Sequence, residues 1–277
     1  MNAPRRPFSR RAWMRAGALW LAGPAAWAQG TPPAAASDDL TDGDPLGSMQ
    51  YPSLHAQTIG PATASFSEAV RVLGPVFADD AMNVPLRVDA RGVADQGGGV
   101  ARIRVAVDRN PVRQVLDFEP LRVLPVLAFR IRLEQASPVR AFVQLRDGRW
   151  LVGSAWVQAA GGGCTVPGIT RADGSWSRTL GQVQARLFNN LIEGGRRLRL
   201  RVMHPMDTGL VAGIPAFYLE ELELLDGAEQ PWLRIALREP VSENPLISFE
   251  LPDASPGMFH LRGRDNNGNR IDAEVRG

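Results

Sequence analysis

From about residue 100 onward, apolar and polar side chains alternate along most of the chain. Ile103, Val105 and Val107 alternate with Arg102, Arg104 and Ala106. Leu127, Phe129, Ile131 and Leu133 alternate with Ala128, Arg130 and Arg132, and Val139, Ala141, Val143 and Leu145 with Arg140, Phe142 and Gln144. A period of two sends one set of side chains into a core and leaves the other in water, the pattern of a half-buried strand. Asp147-Gly148 marks a hairpin, because that turn needs positive φ. The strand after it, Trp150 to Val157, runs straight into glycines. Pro75, Pro85, Pro111, Pro120, Pro125 and Pro138 punctuate the intervals, as short strands and their connections require. Residues 61–158 are therefore expected to form an immunoglobulin-like sandwich, without the Cys–Trp–Cys core of antibody domains.

The second half repeats the style. Leu198, Leu200 and Val202 alternate with arginines, and Leu233, Ile235 and Leu237 with Arg234 and Ala236. Ile247, Phe249 and Leu251, then Ile271, Ala273 and Val275, continue it. Gly194-Gly195, Asp226-Gly227 and Asn267-Gly268 are turn signals. The pattern predicts a second sandwich over 182–277, so the fold class is all-β, two immunoglobulin-like domains in series. The connector, 159–181, has small and turn-forming residues without a period. Connectors of this length are usually functional or linkers.

Before the first sandwich, residues 29–60 form a loose leader rich in Pro, Ala, Thr, Ser and Asp. Asp44 as N-cap and Pro45 at the first helical position predict a short helix there, interrupted by Pro52. His55 in this segment is expected to be a surface or half-buried side chain.

Residues 1–28 have a different character. Arg5, Arg6, Arg10, Arg11 and Arg15 come without an acidic residue, an apolar stretch follows from Ala16, and Ala26-Trp27-Ala28 has the small-x-small form of a signal-peptidase site. Ser9-Arg10-Arg11-Ala12-Trp13-Met14 resembles the twin-arginine export motif. The apolar stretch is too short for a comfortable membrane span, so the expected destination is the periplasm, with no span in the mature protein. The 31 basic and 29 acidic residues of the whole chain give a net charge of +2. Without 1–28 the balance becomes 26 basic to 29 acidic, a net charge of −3. The precursor's pI near 9.3 is therefore no sign of a nucleic-acid partner, which needs a clustered basic surface. Every basic residue is arginine, which removes lysine nucleophiles and Schiff bases from consideration.

The chemistry that remains centres on one side chain. Cys164 is the single cysteine, so it has no partner within the chain, and a leftover thiol in an exported protein points to intermolecular pairing or reactivity. Gly161, Gly162 and Gly163 precede it and are expected to act as a flexible arm. The seven residues from Val157 to Cys164 span roughly 20 Å when extended. No Cys-x-x-Cys, Gly-x-Ser-x-Gly, Rossmann or Walker pattern is present. His55, His204 and His260 show no metal-ligand spacing. No catalytic group, metal or cofactor is expected. His204 reads as structural, and a Cys164–His204 nucleophile pair stays open.

Val84-Pro85-Leu86-Arg87-Val88, the Asp147-Gly148 hairpin and a last strand leading into Gly162-Gly163-Cys164 resemble SoxY, the sulfur-carrying subunit of the bacterial thiosulfate-oxidising system. His204-Pro205-Met206-Asp207-Thr208-Gly209 and Asn244-Pro245-Leu246-Ile247-Ser248-Phe249 resemble its partner subunit, SoxZ. Over residues 44–277 the chain resembles a SoxY–SoxZ fusion, in particular the group described as quinoprotein dehydrogenase-associated SoxYZ-like carriers. The resemblance implies two immunoglobulin-like domains packed on each other and no enzymatic activity. It implies a covalent intermediate carried on Cys164 and shown to periplasmic partner enzymes, with a quinoprotein dehydrogenase as a candidate. The family's Gly-Gly-Cys-Gly-Gly tail is altered here: Thr165 and Val166 replace the last two glycines, and a second domain follows. The competing reading is a periplasmic adaptor without covalent cargo, since sandwich domains often serve only as interaction surfaces.

Overall fold

The structure is a computed structural model and describes residues 41–189 and 195–276. The expected signal segment, 1–28, and the first part of the leader lie outside the described residues. Helix α1 is Tyr51–Ile59. Strands β1 (Ala64–Phe66), β2 (Arg71–Leu73), β3 (Phe77–Ala78), β4 (Val84–Asp89), β5 (Val100–Val107), β6 (Gln114–Glu119), β7 (Val126–Ile131), β8 (Ser137–Leu145) and β9 (Trp150–Ala159) follow. The connector carries two short helices, α2 (Ile169–Ala172) and α3 (Trp176–Thr179). The second half is β10 (Val183–Asn189), β11 (Arg196–Val202), β12 (Leu219–Leu225), β13 (Pro231–Leu237), β14 (Leu246–Leu251), β15 (Met258–Asp265) and β16 (Arg270–Arg276).

These strands make two sheets. One has the order β1-β9-β8-β5-β6-β13-β12-β15-β16, with β3 beside β9, and the other β10-β11-β14-β7-β4-β2. Each sheet crosses from the first half into the second. In one, β6 pairs antiparallel with β13, setting Phe118 opposite Ile235. In the other, β7 pairs antiparallel with β14, setting Leu127 opposite Phe249. Left alone, β6 and β7 would present unpaired N–H and C=O groups at sheet edges, and this pairing satisfies them. Phe118 and Phe249 then meet between the layers with ring centroids 5.6 Å apart, inside one hydrophobic core drawn from both halves. The halves therefore join strand to strand as well as through the connector.

The alternation holds best where one face meets water. On β11, Leu198, Leu200 and Val202 are buried and Arg199 and Arg201 exposed. It fails on β8, where Arg140 and Phe142 were expected on a wet face and are both fully buried. The cause is α1, whose Tyr51, Leu54 and Ile59 pack on Ala106, Phe142, Trp150 and Val152 as a second, smaller core. Two details of the leader also change. Pro52 does not interrupt a helix but stands in the first turn of α1, where its missing N–H has no partner to lose. Asp44 does not open that helix. It accepts the Ser48 amide at 2.8 Å and shares the buried Arg140 guanidinium with Asp108. Burial alone would raise the Asp44 pKa. The hydrogen bonds from Arg140, Ser48 and Leu46, with the guanidinium charge, outweigh it and hold the carboxyl below its ordinary value. The leader is thus anchored from residue 44 onward.

Candidate functional site

Strand β9 ends at Ala159, and the chain turns back over the end of β7. Gly161 and Gly162 take positive φ, +95° and +76°, a conformation that side chains oppose. Gly162 N–H donates to the Glu134 carbonyl at 2.9 Å and Gly163 N–H to the Leu133 carbonyl at 3.0 Å. At Gly163 the need is for space: a Cβ there would come within 2.2 Å of the Ala81 carbonyl oxygen and 2.7 Å of that of Leu133. The expected free stalk is, in this structure, a packed turn.

Cys164 follows and is 1% exposed. Its N–H donates to Glu134 Oε2 at 3.1 Å, and its Sγ lies 3.8 Å from the Arg132 carbonyl oxygen. Thr165 Oγ1 also bonds the Glu134 carboxylate, at 3.1 Å. The second half closes the loop. Thr208 Oγ1 donates to the Cys164 carbonyl at 2.7 Å. Glu243 accepts the Ile169 and Thr170 amides, both at 2.7 Å. Arg171 pairs with Asp207 and lies 4.2 Å over the Trp176 ring. Both runs singled out in the sequence, Gly162-Gly163-Cys164 and His204 to Gly209, thus meet at one place.

The family described as sulfur oxidation protein SoxY matches residues 55–164. The family described as sulphur oxidation protein SoxZ matches residues 191–276. The chain belongs to the SoxYZ-like carriers, with both parts fused. Cys164 is the last residue of the SoxY match, and the loop that holds its carbonyl is in the SoxZ match. Among solved structures, the sulfur carrier protein SoxY from Chlorobium limicola f. thiosulfatophilum is 21% identical, with 38% of this chain and 88% of that one covered and a TM-score of 0.33. No curated protein matches the chain.

The electrostatics of the site disfavour the thiolate while the loop is closed. Burial pushes the Cys164 thiol up to about 12; the Glu134 carboxylate adds to the rise and the Arg132 charge opposes it. His204, in the SoxZ part, is not aimed at the thiol. Its Nδ1 accepts the Met206 amide at 3.2 Å, its Nε2 lies 3.5 Å from Asp265 Oδ2, and its ring packs on Phe217 with centroids 4.4 Å apart. Burial pushes its pKa down to about 4 against the opposing pull of Asp265, so the imidazole is neutral and shapes the loop that carries Thr208. Met206 beside it is held at φ +49°.

Arg132, Glu134, Thr208 and Glu243 were not among the residues expected at the site. Arg132 belonged to an alternating run and was counted as solvated. The one available signal was the specific His204–Gly209 run, which contains Thr208. Val166, Ile169 and Leu210, on the segments around the closed loop, are exposed apolar side chains. No helix among the described residues is long and apolar enough to cross a membrane.

Proposed function

We propose that Cys164 carries a sulfur-containing intermediate as a covalent adduct and presents it to partner enzymes in the periplasm, without itself transforming the cargo. The observation that carries this reading is the position of Cys164, at the end of the SoxY part and under a clamp supplied by the SoxZ part. A thiol that is buried and protonated is a poor nucleophile, because the thiolate is the reacting form. Loading therefore requires the loop to lift, with Gly161, Gly162 and Gly163 as the flexible arm. The exposed apolar side chains around it suit a surface that a partner covers during transfer. The basic, acid-free segment at 1–28 supports export, and a quinoprotein dehydrogenase is the proposed partner by resemblance.

The burial of the thiol also favours a second reading, an adaptor with no covalent cargo. Cys164→Ser separates the two. Under the carrier reading this variant folds and abolishes the pathway that depends on the protein; undiminished pathway activity leaves only the adaptor.

A further inference from the structure

The outer face of the sheet β10-β11-β14-β7-β4-β2 carries an excess of one charge. Its register sets Arg186 directly opposite Arg199, and Gln184 opposite Arg201. Arg130 stands further across, on β7, opposite Pro85. Arg130, Arg186, Arg199 and Arg201 are all exposed, and none has an ion-pair partner among the described residues. The described carboxylates of this face, Asp89 and Glu250, lie toward its other end and are taken up by Arg87, Arg91 and Arg197. The larger sheet shows the contrast: there Arg102, Arg104, Arg234, Arg262 and Arg264 each pair with a carboxylate. Like charges directly opposite on paired strands oppose folding, so the Arg186–Arg199 pair calls for a use.

The face also has a shape. Ser248 and Ala128 sit opposite each other on β14 and β7 and form a low floor. Arg199 rises on one side and Arg130 on the other, around a trough of about 480 Å³. A second depression of about 350 Å³ continues it past Leu246 to Arg186 and Arg201. Phe188, 39% exposed, borders both, with the Arg186 guanidinium 5.9 Å over its ring. From β11 to β4 is three strand spacings, roughly 14 Å, room for one chain between the walls. The end without acids is the end that leads to Cys164, since Arg130 is two residues before Arg132, whose carbonyl meets the thiol.

We propose that this face is a docking site for an acidic, extended segment of a partner protein, whose carboxylates meet Arg186, Arg199 and Arg201 on one wall and Arg130 on the other. Outside residues 1–28 the chain has a net charge of −3. A long polyanion is therefore repelled beyond the trough, whereas a short acidic stretch of a folded partner is not. Bound there, the carboxylates relieve the repulsion between the arginines, and the partner is held beside the Cys164 end of the sandwich. The proposal goes beyond the carrier reading and does not depend on it, since an adaptor uses the same face.

Fluorescence anisotropy with a fluorescein-labelled peptide of alternating Glu and Ala tests this. The protein used is the chain from residue 29, which keeps the whole compact unit of residues 39–277 and omits the arginines of 1–28. The peptide is expected to bind at low ionic strength, about tenfold or more tighter at 50 than at 300 mM salt, and its Gln-Ala counterpart is not. The double variant Arg199→Glu, Arg201→Glu is expected to lose about tenfold or more in affinity. Arg262→Glu, Arg264→Glu makes the same change of net charge on the larger sheet and is expected to lose less than about twofold. Arg186→Gln is expected to bind the peptide more weakly and yet to melt about 1–2 °C above the wild type, because one of two opposed charges is gone. Four results overturn the proposal: equal loss in the two double variants; binding of oligothymidylate as tight as that of the peptide; a tenfold gain in affinity when the chain starts at residue 41, which assigns the trough to the acidic leader; or self-association at low salt that Arg199→Glu abolishes, which assigns it to a second copy.

Discussion

The Thr208 hydroxyl donates to the Cys164 carbonyl at 2.7 Å across 44 residues of sequence, so the SoxZ part holds the Cys164 loop of the SoxY part closed. Thr208 Oγ1 also accepts the Leu210 amide, at 3.3 Å. Thr208→Val removes both bonds and leaves a buried carbonyl unpaired, at a cost of about 1–3 kcal/mol. Much of that cost falls on the closed loop, which raises the population of its open form. Easing that opening by about 1.4 kcal/mol makes the thiol about tenfold more available. The rate of labelling by a disulfide reagent in native buffer is expected to rise accordingly, while the far-ultraviolet spectrum stays that of the wild type. An unchanged rate would show that Thr208 is not the latch.

The three glycines before the thiol separate a packed turn from a free stalk. On a free stalk, Gly162→Ala and Gly163→Ala would both be silent. In the packed turn, Gly163→Ala drives a methyl group into the Ala81 and Leu133 carbonyls, and a loss of about 3 kcal/mol is expected. Gly162→Ala meets open space but keeps φ at +76°, at about 1–2 kcal/mol. Urea titration of the two variants gives the ranking directly.

Two buried groups set opposite pH limits. His204 is pushed down to about 4 from 6.5, so the unfolded chain binds its proton first. The stability it contributes is complete above about pH 6.5 and is lost as the pH falls toward 4. Cys164 is pushed up to about 12 from 9.0. Its contribution is complete below about pH 9 and is lost as the pH rises toward 12. Melting curves across both ranges are expected to show the acid loss reduced in His204→Gln and the alkaline loss reduced in Cys164→Ser.

Most of the sheet structure was legible from the period of two, because a strand with one wet face writes its own alternation into the chain. Strand β8 was misjudged at Arg140 and Phe142 because burial of its second face depends on α1, some 80 residues earlier, and no local pattern reports a distant cover. Pro52 looked like an interruption because the start of α1 was placed too early. The seam between the halves, with Phe118 opposite Ile235, was invisible for a general reason: a buried edge strand and a buried inner strand have the same composition. Cys164 could be singled out from its uniqueness and its glycines. Its surroundings could not, since Arg132 and Glu134 reach it from the end of another strand and Thr208 from the other half.

The central claim is that Cys164 bears covalent sulfur cargo, and intact mass spectrometry of the protein isolated without reductant from cells oxidising reduced sulfur reads it directly. The account predicts a fraction of molecules with added sulfur, oxygen or both, mapped to the peptide containing Cys164, removed by dithiothreitol and absent from Cys164→Ser. A single unmodified mass under conditions where the dependent pathway is running would contradict it.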